Sequence, residues 1–516
     1  MRSKLSLSSG KGHEKYDGIV LLLVLISCLS KLLGFARDIV LTNAYGASSV
    51  ADAYIAMLSI PDMVLEVVAN AAMVGFIPLA MAKLKQSRED LNSFASSIFK
   101  ILLIVAIVFV AIVLLFPQGI IQLLVPGFQG ESLTLSIRFL RVMCFSLVFR
   151  SVTSVFQAYL GTVKYFVPNA FVGVVLDCSI IACIIVSKRF EWIDFLPWGV
   201  VLGTLLQMLL LLPFAWKKGM RPRFKAPVFS EDVRKLLAMS IPAVLSVCLM
   251  HFSSLYNKAL ASGFGAGGIT MLNVASRMSF FVENIIVSSV IAVLYPLLSE
   301  YFLNKEENLA KDAMAGSIQK IIVFLLPATV GLALLSEPII KTLYGHGEFD
   351  AQSVKITAEL MIYHVIGILG IAVQTILTRA LFAMKRIKTS VAMSLSLLCV
   401  YVGCSYVFSR FLGLRGIAVA TGISYTVGGL AYYLLVWRIC HGIRLRKTGV
   451  VFLKAGVATL AMAMAVLLVK QAGIFSGFML LAFAVGAAMI VYFGVATIMN
   501  LEYVSLRRFF NKLIKK

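Results

Sequence analysis

The amino-acid sequence predicts an all-α fold, a polytopic membrane protein of about fourteen transmembrane helices. Three observations lead there. Of the 516 residues, 60% are hydrophobic and 14% charged, where a soluble chain carries about a quarter charged residues. Apolar stretches recur along the chain, each long enough to cross a bilayer, which takes ~20 residues at the helical rise. The basic residues gather mainly between those stretches. Mean hydropathy is +0.95.

The spans fall, in order, at 19–37, 49–77, 97–116, 133–162, 167–187, 197–215, 233–262, 268–299, 318–336, 354–384, 389–409, 416–437, 451–469 and 474–499. The first follows a basic leader holding Lys4, Lys11 and Lys15. It resembles a signal anchor, and no small-residue cleavage site follows it, so it counts as span 1. An even count puts both termini on one side. With these boundaries, 31 Lys/Arg lie in or beside loops on that side and seven on the other. The positive-inside rule makes the richer side cytoplasmic. The expected location is the inner (cytoplasmic) membrane, multi-pass, with both termini cytoplasmic.

The net charge of +23 would suggest nucleic acid in a soluble protein. Here it is explained by orientation, and no nucleic acid is expected. The eight cysteines lie in or beside apolar spans and form no CxxC, so they are expected to be small buried hydrophobes. His251 and His346 stand alone, with no second ligand spaced for a metal site. No P-loop, nucleophile elbow or HExxH is present. Hence no cofactor, no metal and no catalytic residues are expected; the chain is not an enzyme.

An internal repeat sets the architecture. "SIFKILLIV" (97–105) matches "SIQKIIVFL" (317–325), and "GIIQLLVPGF" (119–128) is echoed by "PIIKTLYGHG" (338–347). "FQAYLGTVK" (156–164) and "LTRALFAMK" (377–385) both run into a basic turn, and Pro78 pairs with Pro296. Spans 1–6 and 7–12 are therefore two parallel six-helix repeats, with spans 13 and 14 added. The expected organisation is a basic leader (1–18), an N-lobe (19–216), a basic loop (217–232), a C-lobe (233–438), two extra helices (451–499) and a basic tail (500–516).

An intramembrane charge costs ~2.5–3.5 kcal/mol on insertion scales and persists where it faces a cavity or a partner. Lys100 is expected to snorkel from a helix end. Arg138, Arg141 and Arg150 are expected to make structural pairs within span 4, and Arg379 to serve topology. Lys31 and Arg37 on span 1, with Asp38 beside Arg37, stand apart. So do Asp52 and Glu66 on span 2, Lys258 on span 7, and Arg277 and Glu283 on span 8. These spans are equivalent in the two repeats, so the expected site is a central, net-basic cavity. It suits an anionic substrate, since Arg and Lys bind phosphate through charge-assisted hydrogen bonds. The competing reading pairs Arg37 with Asp52 and Arg277 with Glu283 as ties that only hold the fold.

The stretch 30–64, "SKLLGFARDIVLTNAYGASSVADAYIAMLSIPDMV", resembles the signature of the MurJ/MviN family, the lipid II flippases of the MOP exporter superfamily. The matching residues are Ser30, Leu33, Gly34, Phe35, Arg37, Asp38, Gly46, Ala47, Asp52, Ala53 and Pro61. "VPGF" (125–128) resembles the family's A-P-G-F, and "LYGHGEFDAQS" (343–353) its L-F-x-x-G-x-F-D-A-x-S. The resemblance implies a V-shaped transporter whose cavity is lined by spans 1, 2, 7 and 8, with spans 13 and 14 forming a groove for a lipid tail. It places cavity arginines at Lys31, Arg37 and Arg277. The family's helix 2 arginine pair falls on Leu65 and Glu66, and the acidic residue that follows falls on Asn70.

The function implied is a flippase carrying an undecaprenyl-pyrophosphate-linked sugar, foremost lipid II for peptidoglycan, from the cytoplasmic to the outer leaflet by alternating access. Lys31, Arg37, Asp38, Asp52 and Arg277 are the expected substrate-binding residues, and Glu66, Asn70, Lys258 and Glu283 the supporting ones. The implied partners are the lipid-linked glycan, membrane lipids and cell-wall synthesis proteins. Alternative readings are a flippase for an exopolysaccharide or O-antigen unit, a drug/cation antiporter, and an inactive cell-wall scaffold. Basic residues where an antiporter needs acids argue against the antiporter.

Overall fold

The computed structural model describes residues 10–223, 227–228, 230–442, 445–501 and 503; residues 10–21, 65, 67–75, 237–247, 249–250 and 445–446 are described by backbone alone. The leader up to residue 9, Lys225, Arg444, most of the tail and the side chain of Asn70 lie outside the described residues. The described residues are helical, with short turns between helices. Ten of the helices, or eleven if one bent pair counts as one span, are long and apolar enough to cross a membrane among the described residues. The chain is a multi-pass membrane protein. Its trace clusters into two compact units, residues 1–255 and 256–516.

The first unit holds α1 (Gly10–Tyr45), α2 (Ser49–Gln86), α3 (Arg88–Leu115), α4 (Pro117–Leu124), α5 (Gly130–Met143), α6 (Ser146–Thr162), α7 (Val167–Arg189), α8 (Trp198–Lys217) and most of α9 (Glu231–Ala261). Helix starts follow local chemistry. Ser48 caps α2, its hydroxyl accepting from the Ala51 N–H, and Asp52 stands in the first turn, where it meets the positive end of the helix dipole. Ser87 caps α3 in the same way through Asp90, and Pro117 opens α4, where its missing N–H costs nothing. Span 1 is longer than the sequence suggests. Nothing breaks it before Gly46, at φ +61°, so Arg37 lies two turns inside α1 rather than at its end.

The second unit holds the last residues of α9, then α10 (Gly268–Leu303), α11 (Glu307–Leu334), α12 (Ser336–Tyr344), α13 (Ala351–Val365), α14 (Ile368–Ala383), α15 (Ile387–Leu412), α16 (Leu414–Ile439), α17 (Leu445–Gln471) and α18 (Gly477–Ile498). The order repeats that of the first unit, down to the short α4 and α12. The spans expected at 133–162 and 354–384 are each broken in two, at Cys144–Phe145 and Ile366–Gly367, and the second pair bends by 44°. Both breaks, like both short helices, fall at matching places in the repeat.

Within a bilayer the lipid is as apolar as leucine, so helices are held by close packing and by hydrogen bonds. In the first unit Phe76 stacks on Phe94 at 5.2 Å, and Gln207 on α8 donates to the Val172 carbonyl of α7 at 2.7 Å. In the second unit α14 and α16 meet backbone to backbone. A Cβ built on Gly370 would stand 2.2 Å from the Tyr425 carbonyl oxygen, and one on Gly429 would stand 2.6 Å from that of Gly370. Helices α17 and α18 pack on each other and α17 on α11. Their outer faces expose Leu453, Leu460, Met464, Phe478 and Ile490, as lipid-facing helices do.

Candidate functional site

The expected site residues separate by face. Lys31 and Arg37 are six residues apart, which turns the helix by about 600°, or some 120° between the two side chains. Lys31 is exposed, while Arg37 is 12% exposed and turned into the first unit. There its Nη1 meets Asp177 Oδ1 of α7 at 2.9 Å, and its Nε and Nη2 meet Asp38 Oδ1 at 3.3 and 3.2 Å. The partners of Arg37 are thus Asp38 and Asp177, not Asp52. Gly34, one turn before Asp38, lies beneath the Asp177 carboxylate, with 3.4 Å between Oδ2 and the place of a Cβ. Tyr54, fully buried on α2, and Asp62 are within electrostatic reach of Arg37.

Other charged side chains of the first unit are paired as well. Arg150 of α6 binds Asp62 of α2, and Arg138 binds Asp194 at 2.9 Å. Both partners lie outside span 4, so the expected pairs within that span do not form. His251 Nε2 lies 2.8 Å from Glu66 Oε2. Asp52 is buried, at 1% exposure, in the opening turn of α2.

In the second unit Arg277 is exposed, Lys258 half-buried, and Glu283 6% exposed. Arg277 and Glu283 are again six residues apart and point to different faces, so the pairing of the competing reading does not form. Glu283 lies in the electrostatic reach of buried Tyr425. A neutral network stands nearby: Tyr401 on α15 donates to Asn257 Oδ1 on α9 and lies 3.5 Å from Thr421 Oγ1 on α16.

Sequence reasoning missed Asp177 and the Asn257–Tyr401 pair. The signal for Asp177 was present: it is the lone carboxylate in the apolar run 167–187, and an isolated intramembrane acid calls for a partner. No signal marks Asn257, because an amide and a phenol are common at helix interfaces. Among the described residues no three His, Cys, Asp or Glu side chains gather as metal ligands.

Two helical units of like order, most of their helices long enough to span, define a multi-pass membrane protein built on an internal repeat. The comparisons agree. The family model described as lipid II flippase MurJ matches residues 41–489, and the chain belongs to that family. It is 26% identical over 416 residues to the lipid II flippase MurJ of Burkholderia cenocepacia, covering 79% of this chain and 81% of that protein. It is 25% identical over 490 residues to the probable lipid II flippase MurJ of Bdellovibrio bacteriovorus, covering 92% and 93%. Among solved structures, a lipid II flippase MurJ in an inward closed conformation superposes with a TM-score of 0.82 at 22% identity, over 94% of this chain and all of that one. An inward-facing multidrug resistance MATE family transporter of the MOP superfamily superposes with a TM-score of 0.69 at 16% identity, over 82% and 98%. At those identities the last two speak for the fold.

Proposed function

We propose that this chain carries lipid II across the cytoplasmic membrane, from the cytoplasmic to the outer leaflet. The observation that carries the reading is the family match over residues 41–489. The placement of cations on spanning helices supports it, with Lys31 exposed on α1 and Arg277 exposed on α10. A pyrophosphate is a dianion or more, and ammonium and guanidinium groups bind it by charge-assisted hydrogen bonds. Lys31, Arg37 and Arg277 are its contacts in this reading. Arg37 engages it by exchanging one of its two carboxylate partners, while Lys31 and Arg277 are exposed on α1 and α10. Asp38 and Asp52 hold the α1–α2 end of the site. The exposed faces of α17 and α18 take the prenyl chain. Both termini are cytoplasmic, following the distribution of 31 Lys/Arg against seven. The reaction is movement without covalent change, and cell-wall synthesis proteins are the partners that consume its product.

A second reading, another undecaprenyl-linked glycan, rests on one observation: Glu66 and its His251 partner stand where the resemblance implies an arginine.

The test is complementation in cells depleted of their own lipid II flippase, with wild type beside Lys31→Ala and Arg277→Ala, each checked for membrane expression. Lipid II transport requires rescue by wild type and loss of rescue in the variants. Failure of a well-expressed wild type, in a host where another MurJ homologue works, moves the assignment to the second glycan class.

A further inference from the structure

At one end of the second unit a cavity of about 630 Å³ opens where α10, α14 and α16 finish and α11 begins. Four basic residues line it: Lys305, Lys311, Lys385 and Arg386. The lining holds one acid, Glu307. Lys305, Lys385 and Arg386 are exposed and Lys311 is half-buried, and no ion pair engages any of the four among the described residues. Beside the charges the lining includes apolar side chains, among them Tyr295, Phe302 and Ile439. The cavity thus joins a basic cluster to an apolar wall, at the ends of spanning helices.

Two backbone positions add to this. Lys305 and Lys385 sit at φ +61° and +59°, the left-handed position that ends α10 and α14. The Glu306 and Arg386 N–H groups reach back to the Tyr301 and Leu381 carbonyls, closing the same C-terminal cap on both helices. Glycine would make that turn without steric cost. Lysine at both places brings two cations to the cavity instead.

We propose that this cavity binds the phosphate of an anionic membrane lipid, with the headgroup held by Lys311 and Arg386 and an acyl chain against Phe302 and Ile439. The shared chemistry is a phosphate anion, which a lipid headgroup or free phosphate can supply. The apolar wall favours the lipid, because free phosphate gains nothing from it. Basic pockets between spanning helices on the cytoplasmic side suit such headgroups, and the charge distribution along the chain predicts that side here. A purely structural role is the competing account: cations at helix C-termini offset the negative ends of the dipoles. The proposal concerns the second unit alone and does not rest on which glycan is carried.

The experiment uses the full chain in mild detergent, offered phosphatidylglycerol and phosphatidylcholine in equal amounts, with bound lipid counted by native mass spectrometry. Wild type is expected to prefer phosphatidylglycerol by about 5- to 30-fold, the contribution of one to two basic residues near a membrane surface. Lys311→Gln/Arg386→Gln is expected to bring the ratio close to parity. A control removing equal charge elsewhere, Lys85→Gln/Arg234→Gln, keeps the preference. If the double variant does not fold, Arg386→Gln alone, on an exposed side chain, makes the same test with a smaller shift. Inorganic phosphate in millimolar excess separates the sources. No displacement of phosphatidylglycerol supports the lipid; displacement in wild type with direct phosphate binding that the variant lacks supports the site and assigns it to soluble phosphate. A folded variant with the wild-type lipid ratio, or a wild type with no preference, overturns the proposal and leaves the dipole role.

Discussion

In the first unit α1 is tied to α7 by ions, Arg37 to Asp177, with Asp38 as a second acid. Roughly 220 residues further along the repeat, α9 is tied to α15 by neutral groups, Asn257 to Tyr401, with Thr421 beside them. The helices correspond in order, and Asn257 follows Arg37 by nearly the repeat spacing. One scaffold therefore accepts two chemistries at the same joint. The difference matters because the two ties fail differently. A neutral hydrogen bond contributes about 0.5–1.5 kcal/mol net, while removing one partner of a buried ion pair leaves an uncompensated charge and costs about 3–5 kcal/mol. The ionic joint is the more fragile one to substitution, whatever it adds to stability when intact.

That contrast gives the largest expected effect. Arg37→Ala takes the guanidinium away from two carboxylates and should destabilise the folded chain by about 3–5 kcal/mol in SDS-induced unfolding from detergent. Tyr401→Phe should cost about 1 kcal/mol. Removing Asp177 as well, in Arg37→Ala/Asp177→Ala, takes away one of those two carboxylates, so the double variant should lose less than the sum of the singles, with a coupling of about 0.5–3 kcal/mol. Equal losses for Arg37→Ala and Tyr401→Phe would break the comparison. This also bears on complementation by Arg37 variants: a loss of rescue there is read as substrate binding only if the double variant is stable and still fails.

The helix contacts provide a second contrast of intermediate size. Gly370 faces backbone, with the Tyr425 carbonyl oxygen 2.2 Å from where a Cβ would stand. Gly173, between α7 and α1, faces the Ser30 hydroxyl at 2.1 Å. A hydroxyl rotates away and a carbonyl within a helix does not. Gly370→Ala should therefore push α14 from α16 and cost about 1–3 kcal/mol, the usual range for overpacking. Gly173→Ala should cost clearly less in the same unfolding measurement. A Gly173→Ala loss as large as that of Gly370→Ala would show that α1 and α7 are as rigidly seated as α14 and α16.

The fold was legible because a bilayer writes it into composition: long apolar runs and asymmetric Lys/Arg admit few alternatives. The repeat was legible through Pro78/Pro296 and the basic turns at Lys164 and Lys385. The breaks at Cys144–Phe145 and Ile366–Gly367 were not. Both halves of each broken span are apolar, and hydropathy does not register a two-residue break. The short α4 and α12 lie in matching strings, but eight or nine residues carry too little periodicity to mark them as helices. For the site, residue types were readable and partners were not. Arg37 stood out as a buried charge, yet Asp177 is 140 residues away, and only the packing of α1 on α7 brings them together. Spacing alone was enough to separate Arg277 from Glu283, had the 120° turn between them been applied.

The smallest expected effect compares the entries to α5 and α13, and it explains a piece of the sequence motif. In "EFDAQS" the Asp350 carboxylate caps α13, accepting from the Ser353 N–H at 2.9 Å. Its counterpart before α5, Gln129, makes no side-chain cap. Asp350→Ala should cost about 1 kcal/mol, and Gln129→Asp should gain up to about that much by installing the missing cap. The hydrogen bonds from Ser353 hold the Asp350 carboxyl below its ordinary pKa of 3.8. A depressed carboxylate stabilises the fold above its unfolded pKa, and that contribution is lost as pH falls from there through the folded value. Asp350→Asn keeps a good cap but cannot titrate, so between pH 5 and pH 3 (about one unit either side of the ordinary value) it should lose less stability than wild type. Identical acid profiles for Asp350→Asn and wild type would mean that the cap is made by geometry alone, with no charge in it, and that the two repeats differ at this entry only in a neutral hydrogen bond.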